Sequence, residues 1–311
     1  MIVDLPVVAP CAGVTRMTVS ATDAGTLRLA GREVPRLGFG AMRLPGPGVW
    51  GPPPDRDRAI AVCRRAVELG VRVIDTAWYY GTPDQDVANE VLAEALRPYP
   101  DDLVFVTKLG GRRTDDAGWA PALRPEQLRE GCERDLRVLG VESVPVAHLR
   151  WIDDGGPDVV PFVEALGTML ELRDEGKIGA IGLSNVDLDQ VRTAERITEV
   201  ATVSNLYSPL QRDDDPLVDH CAAAGIPYLP FFPLAIGSVT DPGAVADVAA
   251  ELGVAPAQVA LAWLLRRSAS MLPIPGTGDP AHLEENVGAG SLRLPDESVA
   301  RLDVAGRPSG P

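Results

Sequence analysis

Four side chains with acid–base chemistry lie at or just beyond the ends of three apolar segments: Asp75, Tyr80, Lys108 and His148. The segments are rich in β-branched residues, which is typical of buried strands. The carboxyl ends of parallel strands meet at one edge of a sheet, so these side chains are predicted to lie together. A carboxylate at the end of a buried strand needs a partner, because an unpaired buried charge is costly. The alternative for any one of them is a structural ion pair or a capped strand end.

An ammonium group beside a tyrosine would give this set its chemistry. A tyrosine hydroxyl has a pKa of about 10, so it exchanges protons near neutrality only with help. Lys108 could favour the phenolate of Tyr80, and Asp75 could hold Lys108 through an ion pair. His148 could share a substrate oxygen with Tyr80. The set makes a general acid for a carbonyl group that accepts a hydride, and it contains no activated serine or cysteine nucleophile.

The same residues carry a resemblance to a known family. They resemble the Asp-Tyr-Lys-His tetrad of the aldo-keto reductases, and the segments IDTA, YYG, VTKLG and GLSN are similar too. The resemblance extends from about residue 26 to about residue 305. It implies an α/β fold, a (β/α)8 TIM barrel with an N-terminal β-hairpin across its bottom. It also implies an NADP(H)-dependent enzyme that reduces an aldehyde or ketone to an alcohol.

The resemblance further implies a cofactor site. Its residues are Ser184, Asn185, Ser204, Phe231, Gly276, Thr277, His282, Glu285 and Asn286. Ser184 and Asn185 would hydrogen-bond the nicotinamide carboxamide, and Phe231 would either stack on the nicotinamide or fill the barrel core. Ser204 stands where the family often has glutamine.

The segment IPGTGDPAHLEEN resembles the part of the family that surrounds the adenosine phosphates. Gly276 and Thr277 could approach phosphate at the start of the following helix. Glu285 and Asn286 match the family's adenine contacts. Many members carry lysine at the position of Gly276 and arginine at that of His282, where they pair with the 2′-phosphate. The expected cofactor is NADP(H), with NAD(H) as the alternative.

A narrower resemblance concerns the substrate. The segments PGPGVWGPP, DLVFVTKLGGRR, FFPLA and AWLLRRS resemble a bacterial group that includes pyridoxal reductases, also called pyridoxine 4-dehydrogenases. We therefore expect a small aromatic or heteroaromatic aldehyde such as pyridoxal. Trp50, Trp78 and Trp151 are either the walls of its pocket or ordinary loop anchors. A redox-sensing regulatory subunit with the same barrel and little turnover is the alternative function.

The elements that must position these residues follow a repeating strand–helix pattern. Asp75, Lys108, His148 and Ser184 are separated by 33, 40 and 36 residues, and a barrel unit takes about 31. A doubly wound sheet is the competing fold, but a glycine-rich dinucleotide turn does not follow the first strand. Residues 1–22 show no period and are predicted to be a flexible or non-native extension, and residues 23–311 a single barrel domain.

Composition excludes several function classes. The chain of 311 residues has a net charge of −15, which argues against a nucleic-acid partner. No apolar run approaches the length of a membrane span. The four cysteines have no CxxC spacing, which suggests reduced thiols in a cytoplasmic protein, and the three histidines are not spaced for a metal. The expected partner is a small carbonyl compound, and the oligomeric state is left open.

Overall fold

The β-branched apolar segments form a parallel sheet, and the amphipathic segments between them form helices that cover it. The computed structural model describes residues 19–306. Its strands are β1 (Thr26–Leu29), β2 (Arg32–Pro35), β3 (Phe39–Gly40), β4 (Val73–Asp75), β5 (Val104–Leu109), β6 (Gly111–Arg113), β7 (Trp119–Pro121), β8 (Val144–Arg150), β9 (Ile178–Ser184) and β10 (Val203–Ser204). Its α-helices are α1 (Arg56–Glu68), α2 (Val87–Leu96), α3 (Pro125–Leu139), α4 (Phe162–Asp174), α5 (Leu188–Glu195), α6 (Asp215–Ala224), α7 (Ala244–Leu252), α8 (Pro256–Arg267), α9 (Pro280–Gly288) and α10 (Asp296–Ala305).

The parallel sheet closes on itself. Six strands are hydrogen-bonded in the order β10-β9-β8-β5-β4-β3. Parallel bridges then continue from Val203 to Tyr228 and from Tyr228 to Met271. The amide of Gly38 donates to the carbonyl of Pro273 at 2.9 Å, which joins the last strand position to the first. The predicted (β/α)8 barrel is confirmed, with its last two strands reduced to short bridges.

A hairpin closes the bottom of the barrel. β1 and β2 pair antiparallel, with Leu29 opposite Arg32. Leu29 and Val34 of the hairpin belong to one buried apolar cluster with the strand residues Val73 and Val104. The hairpin therefore covers the interior at the end where the strands begin, as predicted, and leaves the opposite end for the site.

The predicted N-terminal extension overlaps the packed structure. Its first part, residues 1–18, lies outside the described residues. Residues Ala21–Ala24 form a 3₁₀ helix capped by the side chain of Ser20. Ala21 is fully buried, and its amide donates to the carbonyl of Leu69 at 2.8 Å. The boundary predicted after residue 22 is therefore too late, because a short capped helix has no long-range sequence period.

The cysteines within residues 19–306, Cys63, Cys132 and Cys221, are free and buried. Burial raises the pKa of each thiol to about 12, so these thiols are unreactive packing residues. Within the same residues, no single helix is long and apolar enough to cross a membrane. Helices α7 and α8 together have the length and apolar composition of a membrane span, but the chain bends by 103° between them.

Candidate active site

A buried ion pair between β4 and β5 forms the centre of the site. Nζ of Lys108 lies 2.5 Å from Oδ1 of Asp75, and it donates a second hydrogen bond to the carbonyl of Thr76 at 3.1 Å. Both side chains are only 4% exposed. Burial raises the pKa of Asp75, and the Lys108 ammonium opposes that shift. The other carboxylate oxygen of Asp75 is buried without a hydrogen-bond partner in the described part of the chain.

Tyr80 lies in the turn after β4 and faces this ion pair. The Nζ of Lys108 is 5.2 Å from the centre of the Tyr80 ring. Burial, and then the charge of Asp75, raise the pKa of Tyr80 well above its usual value, while the charge of Arg150 lowers it. The expectation that the lysine brings this pKa towards neutrality is therefore wrong for this arrangement, because burial dominates. The phenol keeps its proton, which is the form that a proton donor needs.

His148 stands in the same row of side chains as Lys108. The register of the sheet pairs Lys108 with His148 and His148 with Gly182. A Cβ at Gly182 would lie 2.1 Å from the imidazole, so only glycine lets this ring cross to Thr202, whose hydroxyl it hydrogen-bonds through Nε2. Burial lowers the pKa of His148 well below its usual value, so the ring is neutral. Its Nδ1 is buried and has no partner among the described residues.

The four residues predicted around the nicotinamide follow neighbouring strands. Ser184 and Ser204 are opposite each other in the register of β9 and β10, and both are buried. The hydroxyl of Ser204 has no partner within residues 19–306. Asn185 has a left-handed backbone with φ of 59°, and its amide nitrogen donates to the carbonyl of Trp151 at 2.8 Å. The Phe231 ring is half-buried and lines a cavity that Tyr80 and Asp75 also line, so it is not confined to the barrel core.

One cavity of about 350 Å³ connects the ion pair to the predicted phosphate segment. Eight of the predicted residues line it: Asp75, Tyr80, Phe231, Gly276, Thr277, His282, Glu285 and Asn286. A Cβ at Gly276 would lie 2.5 Å from the carbonyl oxygen of Gly40, so glycine is needed where the last strand meets β3. The cavity is thus lined both by acid–base groups and by the glycine-containing segment that leads into α9.

The three tryptophans, predicted to be either pocket walls or loop anchors, have different contacts. Trp50 lies beside the guanidinium of Arg113, 5.2 Å from the ring centre, and Trp151 packs edge-on against Phe162. The indole of Trp78 lies against Gly131 of α3, because the chain leaves β4 in a turn that directs this side chain outwards. Trp78 does not line the cavity, so its contacts correspond to the loop-anchor alternative.

Three residues that the sequence reading missed belong to the site. The ring of Trp119 in β7 is edge-on to the ring of Tyr80, with 6.4 Å between the ring centres. Its ring centre also lies 4.0 Å from the guanidinium carbon of Arg113. Arg150 ends β8 and hydrogen-bonds Ser184. Arg43 lines the same cavity as Tyr80 and lies beside Gly276. No sequence period marks any of the three, since each is placed by a tertiary contact. The described residues contain no cluster of His, Cys, Asp or Glu that could hold a metal.

Comparison with known proteins gives consistent matches. The model of the aldo/keto reductase family matches residues 36–307. The chain is 45% identical over 287 residues to pyridoxine 4-dehydrogenase of Escherichia coli, an alignment that covers 92% of this chain and 99% of that protein. It is 38% identical over 290 residues to an oxidoreductase of Schizosaccharomyces pombe, covering 93% and 92%. A solved aldo-keto reductase from Klebsiella pneumoniae, in complex with NADPH, superposes with a TM-score of 0.75 at 26% identity, covering 94% of this chain and 98% of the other.

Proposed function

Because this chain belongs to the aldo/keto reductase family, we propose that it reduces an aldehyde or ketone to an alcohol with NADPH as the reductant and Tyr80 as the proton donor. The chain is an NADP(H)-dependent oxidoreductase. Bound NADPH supplies the hydride, and the residues of the chain supply the proton, the orientation and the shelter from water. The observation that carries the proposal is one cavity that is lined both by Tyr80 and Asp75 and by residues of the Gly276–Asn286 segment.

Tyr80 is the proposed acid because it is a protonated phenol that lines the cavity. Its raised pKa keeps the proton on the hydroxyl until a substrate oxygen gains charge. Lys108 lies beside the ring and is held by Asp75. An ammonium at this distance stabilises the phenolate that remains after proton transfer. Lys108 therefore acts once Tyr80 has given up its proton, by stabilising the phenolate, and Asp75 holds Lys108 in position.

His148 is proposed to orient the substrate oxygen. A neutral imidazole can donate one hydrogen bond and accept another. One ring nitrogen already bonds Thr202, and the other is buried and unsatisfied within residues 19–306. A buried polar atom without a partner is rare in folded proteins, and a substrate oxygen or a water would satisfy it.

The residues present fit a nicotinamide cofactor. The unsatisfied hydroxyl of Ser204 and its neighbour Ser184 offer hydrogen bonds to a carboxamide, in line with their proposed role. Asn185 would join them after releasing the carbonyl of Trp151. Phe231 offers an aromatic face at the edge of the cavity.

The phosphate end of the cavity fits the other half of the cofactor. Thr277 is buried and precedes α9, whose N-terminus favours anions. Glu285 and Asn286 line the same cavity and are the proposed adenine contacts. Arg43 supplies from another element the kind of charge that Gly276 and His282 lack. NADP(H) is therefore the proposed cofactor rather than NAD(H).

The proposed substrate is a planar aromatic aldehyde, with pyridoxal as the specific candidate. The Escherichia coli relative is a pyridoxine 4-dehydrogenase. Trp119 lies edge-on to Tyr80, and both Trp119 and Trp50 contact the guanidinium of Arg113. Flat walls of this kind favour a planar ring, since stacking adds to the burial of apolar area.

The test is a comparison of kcat/KM with NADPH for pyridoxal, pyridoxal phosphate, benzaldehyde and butanal. We expect pyridoxal and benzaldehyde to be reduced faster than butanal. Faster reduction of butanal would contradict the aromatic pocket. If the protein binds NADPH but oxidises it with none of the four, the reductase proposal is wrong, and the redox-sensing alternative gains support.

A further inference from the structure

Arg150 is a cation inside the site that the proposed chemistry does not use. It is the last residue of β8, two positions after His148, and the register pairs it with Ser184. Side chains two positions apart on a strand point to the same face and are about 7 Å apart. Arg150 therefore follows His148 along the face of the sheet that carries the catalytic row.

The contacts of Arg150 are few. Nη1 donates one hydrogen bond to the hydroxyl of Ser184 at 3.1 Å. The guanidinium carbon lies 4.6 Å from the centre of the Phe231 ring. These contacts leave most of the N–H donors of a guanidinium unused. The remaining nitrogens are not buried and bond no residue among positions 19–306, so they are open to a ligand.

The charge of Arg150 is also unpaired. No carboxylate of the described residues lies within ion-pair distance of it, whereas Arg112 on the nearby hairpin pairs with Asp158 at 3.3 Å. This is unusual in a chain whose net charge is −15. The field of Arg150 reaches the reacting groups, since its charge lowers the pKa of both Tyr80 and Asp75. A half-buried cation without a counter-charge, at the edge of a reaction centre, is suited to an anionic ligand.

We propose that Arg150 determines substrate specificity by binding an anionic oxygen that the substrate carries close to its reacting carbonyl group. The preferred substrates are aromatic aldehydes with an ionised oxygen on the ring atom next to the aldehyde. This inference rests on the proposed carbonyl reductase function and names the substrate class of the same site. It also explains how a strongly acidic protein accepts an anion, because a local cation offsets the long-range repulsion.

The short reach between His148 and Arg150 sets the position of the anionic oxygen. With the carbonyl oxygen between Tyr80 and His148, a guanidinium based one strand repeat further on reaches a neighbouring substituent. An oxygen on the ring atom next to the aldehyde stays within one strand repeat of the carbonyl oxygen, and one strand repeat is the separation of His148 and Arg150 along β8.

The experiment uses two aldehydes that differ only in the oxygen: 3-hydroxypyridine-4-carboxaldehyde and pyridine-4-carboxaldehyde. The measured quantity is the ratio of their kcat/KM values with NADPH, in the parent and in the Arg150→Met, Arg150→Lys and Arg112→Met variants. A charged hydrogen bond makes a difference of roughly ten-fold or more. We expect the ratio to fall about ten-fold in Arg150→Met and by less in Arg150→Lys, which keeps a point charge. Arg112→Met changes the net charge equally and should leave the ratio unchanged.

A binding measurement separates this inference from the function on which it rests. Titration calorimetry in the presence of NADP⁺ gives the Kd of 3-hydroxypyridine-4-carboxaldehyde without turnover. We expect Kd to rise about ten-fold in Arg150→Met. An unchanged Kd, or equal losses of kcat/KM for both aldehydes, overturns the role of Arg150 in specificity. A parent protein that reduces neither aldehyde refutes the reductase function, while the calorimetric result still decides whether Arg150 binds the anion.

Discussion

Neighbouring residues at the end of β4 and within β5 serve two regions with opposite properties. Asp75 ends β4 and Lys108 lies in β5, and both belong to the proposed reaction centre. Thr107 points to the other face, because side chains alternate along a strand, and Thr76, which follows β4, hydrogen-bonds on that same side. On the first side, polar atoms of Asp75, His148 and Ser204 are buried without partners in the described part of the chain. On the second side, the carboxylate oxygens of Asp86 and Asp135 and the side-chain amide of Asn89 all have hydrogen-bond partners.

The paired side is a hydrogen-bonded network between the strands, α2 and α3. Thr76 donates to Oδ1 of Asn89 at 2.7 Å, and Thr107 donates to Oδ2 of Asp135 at 2.7 Å. The side-chain nitrogen Nδ2 of Asn89 donates to Oδ2 of Asp86 at 2.7 Å and to Oδ1 of Asp135 at 2.6 Å. The network fixes two helices to the strands that carry Asp75 and Lys108, and none of its members lines the cavity.

The comparison of the two regions shows that a shifted pKa alone does not identify a catalytic residue. Burial raises the pKa of Asp135 to about 7 and that of Asp86 well above its usual range. The pKa of Tyr80 in the proposed site is raised in the same direction. Yet every oxygen of the Asp86 and Asp135 carboxyl groups accepts a hydrogen bond within the network. The unsatisfied atoms and the cavity distinguish the reaction centre, because a substrate needs free hydrogen-bonding groups and room.

The largest expected effect is on the reaction side. Tyr80→Phe removes only the proton donor, so kcat/KM for an aromatic aldehyde should fall by about 10² to 10⁴. The melting temperature and the Kd for NADPH should stay close to those of the parent. Lys108→Met should also lower kcat strongly, because the phenolate loses its neighbouring ammonium. Near-parental rates in Tyr80→Phe would show that another group supplies the proton.

The opposite pattern is expected from the network. Asp135→Ala leaves Asn89 and Thr107 with buried polar atoms that have no partner, which costs about 2–4 kcal/mol of unfolding free energy. Its kcat/KM, per folded molecule, should fall far less than that of Tyr80→Phe. Urea unfolding and kinetics on the same preparations measure both quantities. If activity fell as far as in Tyr80→Phe while stability held, the division between the two regions would be wrong.

The network should also make stability depend on pH. An unfolded aspartate has a pKa of about 3.9, and Asp135 has one of about 7 in the folded protein. Between these values the folded protein binds more protons, so this contribution is complete below about pH 4 and is lost as pH rises through about 7. The unfolding free energy should therefore decline between about pH 5 and 7.

Asp135→Asn is the matched variant for this pH dependence. It cannot ionise, so its stability should decline less over the same range, with Asp86 as the remaining source of the slope. Denaturant unfolding at intervals of pH gives the comparison. Identical slopes in the parent and the variant would mean that Asp135 is already ionised at pH 5.

The barrel was predictable because its signals are local. β-branched runs mark β4, β5, β8 and β9, and a parallel sheet necessarily brings their ends together. For the same reason Asp75, Lys108 and His148 could be placed without coordinates. Phe231 and the segment after Ile274 were placed by family resemblance, since single residues there carry no period.

What sequence reading missed depends on tertiary contacts. The hairpin of β6 and β7 has no apolar alternation, so the approach of Trp119 to Tyr80 could not be predicted. Trp78 follows a strand that ends at Asp75, so alternation could not place it. Arg150 reads as an ordinary charged strand end, and only the absence of a carboxylate partner among the described residues makes it notable.

The smallest expected effect concerns the choice of cofactor at the far end of the cavity. Arg43 is exposed beside Gly276, so a contact with the 2′-phosphate is worth about 0.2–1 kcal/mol, as for other exposed ion pairs. Arg43→Ala should therefore weaken NADPH binding by up to about five-fold and leave NADH binding nearly unchanged. Arg56→Ala is the matched control, because Arg56 is equally cationic, pairs with Glu94 of α2 at 2.6 Å and does not line the cavity. Fluorescence titrations at low and high salt measure both cofactors, and added salt should reduce the difference between the parent and Arg43→Ala. Equal weakening of NADPH and NADH would instead assign Arg43 to a part that the two cofactors share, such as the pyrophosphate, and would leave the 2′-phosphate to Thr277, His282 and the start of α9.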